Sequence, residues 1–138
     1  MSTPTLGPLV DTYKALAHPA RLRILAMLRG GELCVCQVTA VLGLAASTVS
    51  AHLTELRRAG LVEEQKVGRW VRYRLRESAS ELVPLWRKLD TDPQARADAA
   101  LLARLRQVPL DTLCRVDLDL SRLGIRPPRR SRNGQGNA

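Results

Sequence analysis

No apolar run approaches the roughly 18 residues that a membrane-spanning helix needs. The opening Met1-Ser2-Thr3-Pro4 lacks a basic segment followed by an apolar stretch, so no secretory leader is expected and the chain reads as cytoplasmic, with no membrane partner. Cysteine is scarce, with three residues in 138, which excludes a disulfide scaffold. Histidine is scarcer, with two, and no nucleophile–base pair is apparent, so an enzyme is not expected. Residues 120–138 contain no acid but carry Arg122, Arg126, Arg129, Arg130 and Arg132.

What is present is an apolar content of 45% and a net charge of +9. The first predicts one domain with a modest core. The second favours a polyanionic partner, nucleic acid foremost. More than half of the excess charge lies in the C-terminal tail, and the body keeps about four surplus positives on a DNA-binding footprint.

Leu9, Tyr13, Leu16 and Ala17 repeat at helical spacing, and His18-Pro19 ends that helix and opens the next. The second helix carries Leu22, Leu25 and Ala26 inward and stops at Gly30-Gly31. Cys34 to Leu42 reads as a third helix closed by Gly43, and Ala46 to Ala59 as a fourth, with Val49, Leu53 and Leu56 inward. A hairpin follows: Val62 to Val67, a turn around Gly68-Arg69, then Trp70 to Leu75 at strand period. Ser80 to Leu89 and Asp92 to about Val108 resume helical spacing. The fold class is mainly α with a two-stranded β wing, a winged helix-turn-helix. Apolar faces on the terminal helices predict a homodimer about a two-fold axis. The expected division is an N-terminal arm (1–8), a winged-helix DNA-binding and dimerisation domain (9–108), a C-terminal docking segment (109–125) and a disordered basic tail (126–138).

Reading DNA requires small or polar residues at the start of a helix that has a packed inner face. Ala46, Ser47, Thr48 and Ser50 supply that set, with His52 one turn later. Ser47, Thr48 and Ser50 suit phosphates or base edges, and the Thr48 methyl suits thymine. Arg57 and Arg58 suit phosphates or their own helix C-terminus, and Lys66 and Arg69 put charge on the wing. Ala45 stands where a capping Ser or Thr is usual, so this helix starts without a side-chain cap. Double-stranded operator DNA is the expected partner.

Cys34 and Cys36 fall at the head of the third helix, where backbone amides and the helix dipole favour thiolate. Thiolates select soft acceptors, including trivalent arsenic, antimony, cadmium and zinc. Zinc usually takes four ligands, whereas trivalent arsenic accepts three sulfurs. Cys114 is the remaining cysteine that could serve as a third, from the same chain or from a partner. Cys-x-Cys is a poor internal disulfide, so oxidation would join Cys34 or Cys36 to Cys114. Ligand binding would distort the first helical turn and so shift the recognition helices, which sit about 34 Å apart on adjacent half-sites.

These stretches closely resemble the ArsR/SmtB family of dimeric winged-helix repressors, and within it the arsenic-responsive type. The matching residues are Lys14-Ala15-Leu16-Ala17-His18-Pro19-Ala20-Arg21-Leu22-Arg23-Ile24-Leu25, Glu32-Leu33-Cys34-Val35-Cys36, Ser47-Thr48-Val49-Ser50-Ala51-His52-Leu53, Leu56-Arg57-Arg58-Ala59-Gly60-Leu61-Val62 and Gly68-Arg69-Trp70-Val71-Arg72-Tyr73-Arg74-Leu75. The resemblance implies a homodimeric repressor released from operator DNA when arsenite or antimonite binds Cys34 and Cys36, with no organic cofactor. The family pattern Cys-Val-Cys-Asp-Leu-Cys continues here as Gln37-Val38-Thr39, so Thr39 replaces its third cysteine. Cys114, a water or a small thiol would complete the set. Zinc-sensing relatives use carboxylates and histidines on the last helix, where this chain has Asp90, Asp92 and Asp98 without histidine. The alternatives are a thiol-oxidation sensor, a cadmium- or zinc-sensing repressor, and an architectural DNA-binding protein without a ligand.

Overall fold

The computed structural model describes residues 6–114 and 124–125. Its elements run α1 (Leu6–Leu16), α2 (Pro19–Leu28), β1 (Leu33–Cys34), α3 (Val35–Leu42), α4 (Ala46–Arg58), β2 (Val62–Val67), β3 (Trp70–Leu75), a 3-10 turn (Ser80–Leu82), α5 (Val83–Asp90), α6 (Pro93–Leu105) and the one-turn α7 (Leu110–Leu113). This is the expected winged helix-turn-helix. The expected basic tail, 126–138, lies outside the described residues, as does most of the docking segment.

Three boundaries differ from expectation. Helix α1 begins at Leu6 rather than 9, so residues 6–8 belong to the helix and not to an arm. Leu33 and Cys34 are extended and pair antiparallel with Tyr73 and Arg72, giving a three-stranded sheet of order β1-β3-β2 in place of a two-stranded wing. The helix predicted from Cys34 therefore starts at Val35, with Cys34 as its cap. The Cys34 amide donates to Gln37 Oε1 at 2.9 Å, which satisfies one of the amides that a helix start leaves open.

Two glycines fix turns that other residues would strain. Gly43 ends α3 in the left-handed region (φ 67°) and donates its amide to the Thr39 carbonyl at 2.9 Å. Gly68 opens the two-residue β2–β3 loop at φ 60°, as the first central position of a type II′ turn demands.

The core is a continuous apolar cluster in which Ile24, Leu25, Val38, Val41, Val49, Leu53, Leu56 and Leu105 are fully enclosed. Helix α2 lies at its centre, against α4 on one side and α6 on the other. Across the α2–α6 contact Arg23 donates to Asp98 through Nε (2.8 Å) and Nη2 (2.9 Å), and Gln94 Nε2 adds a third bond at 2.9 Å. Asp98 is 3% exposed, and these donors replace the water its carboxylate has lost. Removing one partner of such a pair strands a buried charge, at a cost of about 3–5 kcal/mol. Arg23→Ala is therefore expected to lower unfolding stability by that amount in urea denaturation. A loss below about 1 kcal/mol would show that the pair contributes no more than a surface one.

Candidate nucleic-acid interface and thiol site

Helix α4 presents Ala46, Ser47 and Ser50 as exposed residues and Thr48 as half-buried, while Val49, Leu53 and Leu56 face the core. Its cap, Ala45, makes no side-chain hydrogen bond, so the first amides of α4 lack a side-chain acceptor. Of this set, Ser47, Thr48 and His52 line one groove along α4.

His52 is 5% exposed and packs beside the core while lining the groove that holds Ser47 and Thr48. Its position follows from helical geometry: Val49, His52, Leu53 and Leu56 fall at i, i+3, i+4 and i+7. His52 Nδ1 accepts from Arg21 Nε at 3.2 Å, and its ring lies 4.3 Å from that of His18, tilted by 50°. His18 caps α2 by accepting the Ala20 amide on Nδ1 at 3.1 Å, and its buried Nε2 has no partner among the described residues. Burial lowers both imidazole pKa values. For His52, His18 and then Arg21 add to the effect and bring it down to about 4; for His18, Arg21 adds to burial. Both rings are therefore neutral near pH 7, and each Nδ1 is free to accept.

The basic residues proposed for the backbone have different surroundings. Arg57 pairs with Glu64 on β2 at 3.5 Å, and Tyr73 donates to the same carboxylate at 2.7 Å. These contacts brace the end of α4 against the sheet. Burial, then the Glu64 bond, push the Tyr73 phenol up to about 12. Arg58 pairs with Glu55 at 3.4 Å on its own helix, and Arg69 contacts Asp111 and stacks over Trp70. Lys66 is exposed on β2.

At the head of α3 the three cysteines separate into a pair and a single residue. Cys36 and Cys114 are joined, with their Cα atoms 5.2 Å apart across 78 residues of sequence. Helix α7, seated on α3 through buried Leu113, carries Cys114 there. Cys34 is unbonded and 4% exposed, on the strand side of the junction opposite Arg72. Thr39, at the position of the third cysteine in the family pattern, has its Oγ1 buried with no partner among the described residues. Among the described residues no group of three or more His, Cys, Asp or Glu side chains is arranged to hold a metal ion. The Asp residues near and on the last long helix have other partners: Asp90 contacts Arg29, Asp92 caps α6 through the Ala95 amide at 2.8 Å, and Asp98 binds Arg23.

The histidine cluster predicts a pH dependence. The His52 pKa lies below its unfolded value, so its contribution is complete above about pH 6.5. As pH falls toward about 4, the unfolded chain gains the proton first and stability drops. Between pH 6.5 and 5, wild-type melting temperature is expected to fall more steeply than that of His52→Asn, which keeps an acceptor near Nδ1 but does not titrate. Parallel slopes would contradict this.

The comparisons with known proteins agree with this arrangement. Residues 18–64 match the family model described as bacterial regulatory protein, arsR family. The chain is 43% identical over 75 residues to the arsenic resistance transcriptional regulator ArsR1 of Pseudomonas putida, covering 54% of this chain and 56% of that one. It is 40% identical over 78 residues to the arsenical resistance operon repressor of Escherichia coli, covering 56% and 63%. The chain therefore spans less than two thirds of these relatives' length. It is 44% identical over 92 residues to the HTH-type transcriptional regulator CmtR of Mycobacterium bovis, covering 63% of this chain and 78% of that one. Among solved structures it is similar to the transcriptional regulator HlyU of Vibrio vulnificus (38% identity, TM-score 0.53, covering 62% and 86%). A second is the homodimeric winged helix-turn-helix domain Mb0332 of Mycobacterium bovis (30% identity, TM-score 0.53, covering 73% and 94%). The helix-turn-helix, the wing and these matches identify the chain as a member of the ArsR family of bacterial regulatory proteins.

Proposed function

We propose that the chain is a homodimeric transcriptional repressor that holds operator DNA with α4 and the wing and releases it when trivalent arsenic or antimony binds its cysteines. The observation that carries this is the arrival of Cys114 beside Cys36 at the head of α3, the helix packed directly under α4. In the reduced protein two thiols at this spacing fit a thiophilic metalloid. Arsenite exchanges two hydroxyls for two sulfurs, the thiol protons leaving with them as two waters. Cys34, two residues from Cys36, supplies a third sulfur if the β1–α3 junction opens. That opening would break the Cys34–Gln37 bond and loosen the first turn of α3 beneath the recognition helix. A coupling of about 1–3 kcal/mol is enough to change DNA affinity 5- to 150-fold.

Contact with DNA would come from Ala46, Ser47, Thr48 and Ser50 at the uncapped start of α4, and from Arg57, Arg58, Lys66 and Arg69 along the backbone. The dimer would form through α1, whose Leu6, Leu9, Val10 and Tyr13 are exposed on the described surface. The homodimeric state of the Mb0332 domain supports this. The names of the Pseudomonas and Escherichia relatives support arsenic as the inducer, and such a regulator would act in the cytoplasm.

The Cys36–Cys114 link itself favours a second reading, in which oxidation is the signal. Two thiols lose two electrons and two protons to a peroxide, which leaves as two waters, and the resulting bond ties α7 to α3.

A labelled duplex from the DNA upstream of the gene, titrated with reduced protein and followed by anisotropy, tests both readings. Arsenite is expected to release wild type but not Cys36→Ser or Cys114→Ser, and Cys34→Ser reports whether a third sulfur is used. Release by peroxide but not by arsenite would replace the metalloid reading with the redox one. Tight binding unaffected by either reagent would overturn both.

A further inference from the structure

A groove of about 570 Å³ runs along the exposed side of α4. Its walls include Ser47, Thr48, Ala51, Thr54 and Arg58 of α4 and, from α2, Arg21. Arg21 lies 26 positions before Ser47 in sequence and outside the α3–α4 unit, yet it shares the surface assigned above to DNA. We propose that Arg21 is a phosphate contact of the DNA-bound protein and that His52 is the positioning residue that aims it. The inference rests on the reading of α4 as the recognition helix and adds a contact to it.

The hydrogen bonds of Arg21 set its orientation. Nε donates to His52 Nδ1 at 3.2 Å and Nη1 to the Lys14 carbonyl at 3.3 Å. Both acceptors are neutral, and among the described residues no carboxylate pairs with Arg21. Glu55, the acid in the same groove, is paired with Arg58. A guanidinium has five N–H donors, so three remain for another partner. A half-buried arginine held at two points, with its charge uncompensated beside Ser47 and Thr48, suits a phosphate oxyanion. Its planar fork is already ordered, so little side-chain freedom is lost on contact. Lys14 comes from α1 and His52 from α4, so the aim of Arg21 depends on how those two helices sit against α2. A shift of α4 would withdraw the acceptor from Nε and turn the guanidinium away from the backbone. Arg21 thus gives the protein a phosphate contact whose geometry reports the position of the recognition helix.

The test is the salt dependence of DNA binding by full-length wild type, Arg21→Gln, His52→Leu and His52→Asn, each first shown to be folded by its thermal transition. Each phosphate contact contributes about 0.9 to the slope of log K against log salt. Arg21→Gln is expected to reduce the slope by about 1.8 for a dimer with two such contacts, and to weaken binding similarly on different operator sequences. His52→Leu removes the acceptor and is expected to reproduce much of that loss. His52→Asn retains an acceptor and is expected to restore it. A folded Arg21→Gln protein that binds with the wild-type slope would overturn the proposal and leave Arg21 as a brace between helices. Failure of wild type to bind DNA at any salt would instead overturn the DNA reading on which the proposal rests.

Discussion

Eight residues of α3 must satisfy several neighbours at once, and the rest of the molecule is arranged around that constraint. Val38, Val41 and Leu42 are sealed in the core beneath α4. The first turn carries Cys36 and, through it, the C-terminal turn that bears Cys114. The residue just ahead of that turn, Cys34, belongs to the sheet that forms the wing. A helix this short has little hydrogen bonding to spare. Its start is held by the Gln37 side chain and its end by the left-handed Gly43. In the proposed mechanism, chemistry at the sulfurs would therefore act on the support of α4 and on the wing together. In such a small, close-packed body a displacement at one end of α3 would be passed on to its neighbours.

Helix α2 is the second fixed point. Its opposite faces carry arginines with different roles. Arg23, half-buried, pairs with buried Asp98 and ties α2 to α6. Arg21 reaches the surface groove and ties α2 to α4 through a neutral histidine. Burial keeps that histidine uncharged, and neutrality is what allows its Nδ1 to accept from an arginine. Its burial makes His52 a suitable internal acceptor. His18 performs a related task at the start of α2, accepting the Ala20 amide.

Much of this was legible in the chain because the cues were local. Gly30-Gly31, Gly43 and Gly60 mark helix ends, and the alternation through Trp70–Leu75 marks a strand. The absence of a cap at Ala45 was readable from one residue. The thiol pair at the head of α3 and the outward Ser47, Thr48 and Ser50 followed from spacing. The missed features lack a local signature or needed a stricter use of period. Leu33-Cys34 is too short to show strand alternation, and β3 determines its pairing. Helix α1 could have been started at Leu6, since Leu6, Leu9, Val10 and Tyr13 continue the helical spacing. His52 lies at i+3 from Val49, so the apolar period accounts for its burial. The Cys36–Cys114 and Arg21–His52 pairings span 78 and 31 residues. Tertiary packing creates both: spacing left Cys34 and Cys36 as alternative partners of Cys114, and gave no sign of the Arg21–His52 pair.

On the proposed mechanism, chemistry at the cysteines reaches α4 through α3. Amide hydrogen exchange of the reduced protein, with and without arsenite, tests it most directly. The account predicts altered protection in the first turn of α3, in α4 and in the strand that pairs with Cys34, as well as around Cys114. A change confined to the residues beside the sulfurs, with α4 unaffected, would contradict it.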